Sequence, residues 1–132
     1  EEVQIYEPIL GAPGDKVTTV LLGATHYLKD NRILPFGFDQ ASAGGDISVK
    51  GLAVEDADFA AGSDRIRYAV PVGTSSGPFT VRAELWYQPI GFRWARNVDD
   101  RPSAEAQRFR GYYETSSALS GIVLAKAEAK AE

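Results

Sequence analysis

Several residue types are missing or rare in this sequence of 132 residues, and each absence excludes a class of protein. Cysteine is absent, which excludes disulfides, a thiol nucleophile, a thiolate zinc site and covalently attached haem. The single histidine, His26, excludes a multi-histidine metal site within one chain. No apolar run approaches the roughly 20 residues of a membrane-spanning helix. Methionine is also absent, position 1 included, so we expect a processed chain or a domain excised from the C-terminal end of a larger protein.

The residues that are present have the balance of a soluble globular protein. Hydrophobic residues make up 44% and charged residues 24%, with a formal net charge of −4. The length predicts one domain covering residues 1–132. Arginines gather in the second half, but their excess is weaker than nucleic-acid-binding domains show, so no nucleic-acid partner is expected. These arginines are Arg82, Arg93, Arg96, Arg101, Arg108 and Arg110.

The dominant hydrophobic period is two, which indicates β-strands. In residues 79–87, apolar side chains alternate with polar ones and Trp86. A second alternating run at 65–70 precedes a glycine-containing loop at 72–77, so the pattern predicts a β-hairpin. We expect its apolar set to be buried on one sheet face. This set is Ile66, Tyr68, Val70, Phe79, Val81, Ala83 and Leu85.

Further short strands are predicted on both sides of this hairpin, at 2–9, 17–22, 25–29 and from 122 through Leu124. The Ala-Lys-Glu residues from Ala125 onward favour a helix or a frayed end instead. The pattern favours a loop at 56–64 and an ordered connection at 30–35, where Asp30 and Asn31 cap backbone groups. Leu28, Ile33, Leu34 and Phe36 supply the apolar anchors of that connection.

The fold class follows from these elements. Ser103 is expected to be the N-cap of a helix on which Ala106, Phe109 and Tyr113 fall at helical spacing. Seven or so short strands with little helix predict an all-β fold. The specific prediction is a jelly-roll-like β-sandwich with at most one short helix near the C-terminus.

Side chains that could act as a catalytic nucleophile or base are scarce in this sequence. A Gly-x-Ser-x-Gly pattern at residues 73–77 matches the nucleophile elbow of hydrolases, but that motif needs a helix after it and here a strand follows. His26, the one possible imidazole base, lies in a strand-like run. The sequence therefore predicts that the chain is not an enzyme and has no cofactor of its own.

Carboxylates gather between residues 55 and 64. Hard cations bind where several oxygens converge, but the spacing matches no EF-hand loop. The expected interpretation is a solvated acidic loop with no metal. Calcium is the alternative, with Asp56, Asp58 and Asp64 as its candidate ligands.

Aromatic residues beside arginines indicate a binding surface. Exposed tryptophan and arginine are typical of protein interfaces, and flat tryptophan and tyrosine rings also suit sugars. The alternative is that both tryptophans lie in the core of a second packed sheet face. The candidate binding residues are Trp86, Tyr87, Arg93, Trp94 and Arg96.

Four blocks of sequence resemble a known family. They are VQIYEPIL at 3–10, ATHYLKDNRILP with GFD within 24–39, DRIRY at 64–68 and LWYQPIGFRWA at 85–95. Together they resemble the C-terminal, cysteine-free β-domain that follows the haem-binding region in some bacterial multihaem c-type cytochrome family proteins. The resemblance covers most of residues 3–125 and transfers no catalytic residue.

The resemblance implies a periplasmic or otherwise extracytoplasmic accessory domain of an electron-transfer protein. Its partners would be the haem-bearing domains of the same polypeptide or a redox partner protein. Haem c is implied only for the region upstream, since the Cys-x-x-Cys-His attachment motif is absent here. The alternative function is a carbohydrate-binding module with an exposed platform of Trp86, Tyr87 and Trp94.

Overall fold

A computed structural model describes residues 2–132, and the chain divides into two compact units. The first unit ends at Ala69 and the second comprises Val70–Glu132. The predicted β-rich character is confirmed, because five strands form two antiparallel sheets in the described residues. Neither α-helix in that part of the chain combines the length and hydrophobicity needed to span a membrane. The sandwich arrangement and the single domain over residues 1–132 stay predictions.

The first unit contains a three-stranded antiparallel sheet in the order β2-β1-β3. Its strands are β1 (Pro8–Ala12), β2 (Lys16–Thr18) and β3 (His26–Asp30). The strand predicted at 25–29 is confirmed, whereas pairing in the predicted 2–9 strand begins only at Pro8. The buried strand predicted at 17–22 is wrong. Only three residues of β2 pair with β1, and the chain then enters a 3-10 turn with Leu21 and Leu22 exposed.

Two polar residues, Asn31 and Asp30, are as deeply buried in this unit as the apolar Val49. Asn31 is 3% exposed; its Oδ1 accepts from the Glu7 amide at 3.0 Å and its Nδ2 donates to the Ile5 carbonyl at 3.1 Å. Asp30 is 5% exposed; its Oδ1 accepts from the Arg32 backbone amide at 3.3 Å, and its carboxylate also accepts from the Arg32 guanidinium. The predicted capping role of these two residues is confirmed. Of the four predicted anchors, Leu28 and Leu34 are half-buried, while Ile33 and Phe36 are exposed.

The second unit combines a hairpin-like strand pair with two helices. Its elements are β4 (Phe79–Tyr87), α1 (Phe92–Arg96), α2 (Ala104–Ser120) and β5 (Ile122–Ala131). The predicted cap is confirmed, because the Ser103 Oγ accepts from the Ala106 amide at 3.2 Å. With 17 residues, α2 is longer than the short helix predicted, and α1 adds a second helix. Residues 104–120 contain no proline, so no residue of that type interrupts the helix.

The partner of β4 differs from the one predicted. Residues 65–70 form no strand, and β4 pairs instead with β5, which extends to Ala131. Two cross-strand ion pairs fix this register: Arg82 with Glu128 and Glu84 with Lys126, each at 2.8 Å. The closing strand at 122–124 is thereby confirmed. The strand form prevails over the helix propensity of its Ala-Lys-Glu residues because each residue finds a partner on β4.

The β4–β5 pair has two faces of opposite character. The charged hairpin face carries Thr80, Arg82, Glu84, Trp86, Val123, Lys126, Glu128 and Lys130. The apolar hairpin face carries Phe79, Val81, Ala83, Leu85, Tyr87, Ile122, Ala125, Ala127, Ala129 and Ala131.

The predicted burial of the apolar set is wrong. Val81 is 56% exposed and Leu85 is 40% exposed, while Tyr68 and Val70 are also exposed. Alternation did identify which side chains share a face. Burial, however, requires a second layer, and two strands alone leave both faces open to water.

The solvent-exposed area of the chain is large for its mass. The accessible surface is 10349 Å² for 14.3 kDa. Two separate compact proteins of half this mass would together expose only about 8,000 Å². The comparison already treats the two units as separate proteins, so the difference in area does not come from their arrangement. The extra exposed area means that much apolar surface has no covering layer.

Candidate functional site

The predicted binding residues lie in one stretch of the second unit, residues 86–96, which we call the aromatic segment. It joins the end of β4 to α1. Trp86 is 52% exposed and Trp94 is 38% exposed, so the alternative that both tryptophans are core residues is wrong. Ala95 is the buried residue of α1. The other four residues of this short helix are exposed.

Trp86 is held by a chain of polar contacts. Its indole Nε1 donates to the Glu84 Oε2 at 2.9 Å, and the Glu84 Oε1 accepts from the Lys126 ammonium at 2.8 Å. The hydrogen bond from Lys126, followed by that from Trp86, holds the pKa of Glu84 below its usual value. A Cβ on Gly121 would lie 3.0 Å from the Trp86 ring, so the absence of a side chain there lets the chain pass beside the indole. These contacts hold the ring in one orientation.

Arg96 is oriented in a similar way. Its Nη1 donates to the Asp99 Oδ2 at 3.0 Å, and its guanidinium lies 5.1 Å from the centroid of the Phe92 ring. The hydrogen bond to Asp99 raises the pKa of Arg96. Sequence analysis missed Phe92, which is largely exposed. Its spacing of four residues from Arg96 on a helix was the signal that could have found it.

The aromatic candidates do not form one flat platform. Trp86 and Tyr87 are consecutive in β4 and therefore lie on opposite faces of the strand pair. Trp86 belongs to the charged hairpin face, and Tyr87 belongs to the apolar one. Trp94 lies on α1, as does Arg93, which is exposed. The structure therefore brings together Trp86 with the charged side chains around it, and Trp94 with the two arginines.

The three candidate calcium ligands do come together in the first unit. One carboxylate oxygen from each of Asp56, Asp58 and Asp64 lies within 4.8 Å of the others. The Tyr6 hydroxyl donates to the Asp64 Oδ2 at 2.5 Å, while the Asp64 Oδ1 is buried with no hydrogen-bond partner. Calcium takes six to eight oxygens, so three carboxylates supply only part of its shell. Calcium binding stays a prediction, and it carries no functional argument here.

Burial, followed by the hydrogen bond to Asp64, raises the pKa of Tyr6. A phenol whose folded pKa exceeds its unfolded value of about 10 stabilises the fold below that pH, and the stabilisation is lost as pH rises further. We predict that Tyr6→Phe lowers the free energy of unfolding by about 1 kcal/mol at pH 7 and by progressively less above pH ~10. Urea titrations between pH 7 and 11 measure this. Tyr112→Phe, at an exposed site, is the control; a difference that stays constant with pH would contradict the assignment.

His26 lies between a hydroxyl and a carboxylate. Its Nδ1 is 2.9 Å from the Thr25 Oγ1, and its Nε2 is 3.0 Å from the Asp15 Oδ1. This is the order of groups in a catalytic triad. However, the Thr25 amide is hydrogen-bonded to the Gly11 carbonyl and cannot serve as an oxyanion donor. Two shallow, open cavities, of about 490 and 570 Å³, lie around the start of α2 instead.

The position of His26 has a structural explanation. His26 pairs with Gly11 across the sheet, and a Cβ on Gly11 would lie 2.7 Å from the imidazole Nε2. The ring therefore covers the bare backbone of its neighbour on β1. With both ring nitrogens in hydrogen bonds and no cysteine in the chain, these residues do not fit an attached haem.

The Gly-x-Ser-x-Gly pattern lies in a turn. Gly73 has a φ of 58°, and the Ser75 amide donates to the Val72 carbonyl at 3.1 Å. The next element is β4 rather than a helix. The segment is a loop, as expected, but it is not the predicted hairpin loop, because residues 65–70 form no strand.

Comparison with protein-family models, curated proteins and solved structures gives no match. The resemblance to multihaem cytochrome domains is therefore unsupported by these comparisons and stays a prediction.

Proposed function

We propose that the chain is a non-catalytic accessory domain that binds a partner protein through its aromatic segment. The observation that carries the proposal is the exposure of Trp86, Phe92 and Trp94 within eleven residues of chain. Tryptophan and arginine dominate the binding energy of many protein interfaces because they combine large apolar area with directed hydrogen bonds. Exposed aromatic side chains at this density are costly in water and favour a partner that covers them.

The preorganised side chains support this proposal. Glu84 fixes the Trp86 indole and Asp99 fixes the Arg96 guanidinium, both by direct hydrogen bonds. Side chains that already hold one orientation lose less conformational entropy on binding. A partner surface complementary to the segment would offer apolar pockets for the rings and acceptors for the arginines.

The resemblance supplies the proposed identity of the partner. On that basis the partner is a haem-bearing module of a multihaem c-type cytochrome, in the same polypeptide or in a redox partner, and the location is periplasmic or otherwise extracytoplasmic. Haem c would belong to that module. The finer fold prediction belongs to the same proposal: an amphipathic strand pair is one layer of a jelly-roll-like β-sandwich and needs a second layer on its apolar face.

A carbohydrate-binding function has less support. Sugar rings stack on flat, exposed aromatic platforms. Trp86 and Tyr87 lie on opposite faces of β4, so the predicted platform with Trp94 is split.

Tryptophan fluorescence tests the proposal directly, because Trp86 and Trp94 are the two tryptophans of the chain and haem absorbs their emission. Titration with a soluble tetrahaem c-type cytochrome is expected to quench the fluorescence to saturation. Trp86→Ala and Trp94→Ala should each raise the dissociation constant by about 30-fold, each variant keeping one fluorophore.

Tyr112→Ala is the control, because Tyr112 is an exposed aromatic residue that lies outside the aromatic segment, on α2. It should change the dissociation constant by less than about twofold. Absence of saturable quenching contradicts a haem-protein partner. Equal weakening by Tyr112→Ala and Trp86→Ala contradicts the aromatic segment as the interface.

A further inference from the structure

Residues 65–78, which we call the connecting segment, contain the boundary between the two compact units. They form no helix or strand, and every residue from Arg67 to Pro78 is exposed. Within the described residues 2–132, one backbone–backbone hydrogen bond lies in this segment, from the Ser75 amide to the Val72 carbonyl at 3.1 Å. The backbone of residues 65–71 therefore has donors and acceptors that can pair with another molecule.

We propose that the connecting segment is a processing site for an endopeptidase of trypsin-like specificity, which hydrolyses the bond between Arg67 and Tyr68. Proteases cut where several consecutive residues are exposed and free of backbone pairing. Trypsin-like enzymes bind arginine or lysine before the cut, because an aspartate lies at the base of their specificity pocket. As the C–N bond breaks, the hydroxyl of a water molecule bonds to the Arg67 carbonyl carbon and its proton goes to the Tyr68 nitrogen.

The contacts on either side of Arg65 favour Arg67 as the residue before the cut. Asp64 accepts a hydrogen bond from the Tyr6 hydroxyl, Ser63 forms a β-bridge with Ala60, and Ile66 is half-buried. A protease that cuts after Arg65 would have to release these contacts first. After Arg67 the chain is exposed in every residue up to β4, so this bond is the more accessible of the two.

The lysines and arginines outside the connecting segment are less suited to cleavage. Most of them lie within strands or helices, where backbone hydrogen bonds must break before a protease can bind. Of the others, Arg32 is paired with the buried Asp30, and Lys50 forms a β-bridge with the same residue. Arg101 precedes Pro102, whose ring hinders hydrolysis of the bond between them.

A cut after Arg67 leaves every strand and α-helix of the two units intact. The strands of the first sheet lie within residues 8–30, and those of the second lie within residues 79–131. Residues 1–67 contain six basic and eleven acidic side chains, whereas residues 68–132 contain eight and seven. Processing would therefore separate a strongly acidic unit from the unit that carries the aromatic segment. The inference does not depend on which partner that segment binds.

Limited digestion of the full chain with trypsin, followed by mass spectrometry of the intact products, tests the inference. The first internal cut should yield residues 1–67 and 68–132. Arg67→Gln should slow internal cutting at least about tenfold, because the remaining sites require local opening of the fold. Arg108→Gln is the matched control, because Arg108 is also exposed but lies within α2, and it should change the rate by less than about twofold.

The circular dichroism of the cut chain gives a second measurement. It should match that of the uncut chain, because no strand or helix is severed. A first internal cut at any other bond, the one after Arg65 included, would overturn the inference, as would equal slowing by Arg67→Gln and Arg108→Gln. Loss of the native spectrum once the chain is cut after Arg67 would also overturn it, because the two units would then depend on an intact connection.

Discussion

Replacing Asn31 with alanine is expected to lower the free energy of unfolding of the chain by about 1–3 kcal/mol. Asn31 is 3% exposed, and its side-chain amide bonds two backbone groups from residues 5 and 7. Alanine leaves the Glu7 amide without this partner, while the Ile5 carbonyl keeps a hydrogen bond from the Lys29 ammonium at 3.0 Å. Each buried polar group that loses its partner costs about 1–3 kcal/mol.

Urea unfolding monitored by circular dichroism measures this effect. The control is Asn97→Ala, at an exposed asparagine of the second unit, which should change the free energy by less than about 0.5 kcal/mol. Equal stability of Asn31→Ala and the unmodified chain would show that Asn31 does not tie the N-terminal segment to β3.

Asp30→Asn is expected to destabilise the chain by about 2 kcal/mol. The buried Asp30 carboxylate accepts from the Arg32 Nε at 2.8 Å and from its Nη2 at 2.5 Å. An amide at this position presents an N–H group toward one of these donors and also loses the charge. Two-point hydrogen bonds between arginine and a carboxylate are among the stronger polar contacts in proteins.

The exposed ion pair of Arg82 with Glu128 serves as the comparison for the ion pair of the buried Asp30 with Arg32. Because water and salt screen that pair, Glu128→Gln should cost less than about 0.5 kcal/mol. Thermal unfolding of both variants in low and 0.5 M salt, a concentration at which screening acts over only about 4 Å, separates the two cases. An Asp30→Asn effect as small as that of Glu128→Gln would contradict the importance assigned to the buried pair.

The parts of the fold that could be predicted are those that depend on local sequence. The cap at Ser103, the strand at His26–Asp30 and the alternation of β4 each follow from neighbouring residues. The partner of β4 could not be predicted, because Arg82 and Glu128 are 46 residues apart and the Ala-Lys-Glu sequence of β5 favours helix when taken alone.

In the candidate site too, some features follow from local sequence and others do not. Aromatic residues beside arginines identified the aromatic segment, and alternation already placed Trp86 and Tyr87 on opposite faces of β4. The predicted burial of Val81 and Leu85 failed because burial depends on a covering layer, which alternation does not report. The convergence of Asp56, Asp58 and Asp64 depends on loop geometry that no periodic pattern encodes.

Hydrogen exchange of the chain, with and without a soluble tetrahaem c-type cytochrome, tests most directly the claim that the aromatic segment binds a partner protein. The account predicts that amides of residues 86–96 become slower to exchange in the mixture, while those of the first unit keep their rates. Unchanged exchange across residues 86–96, or protection confined to the first unit, would contradict it.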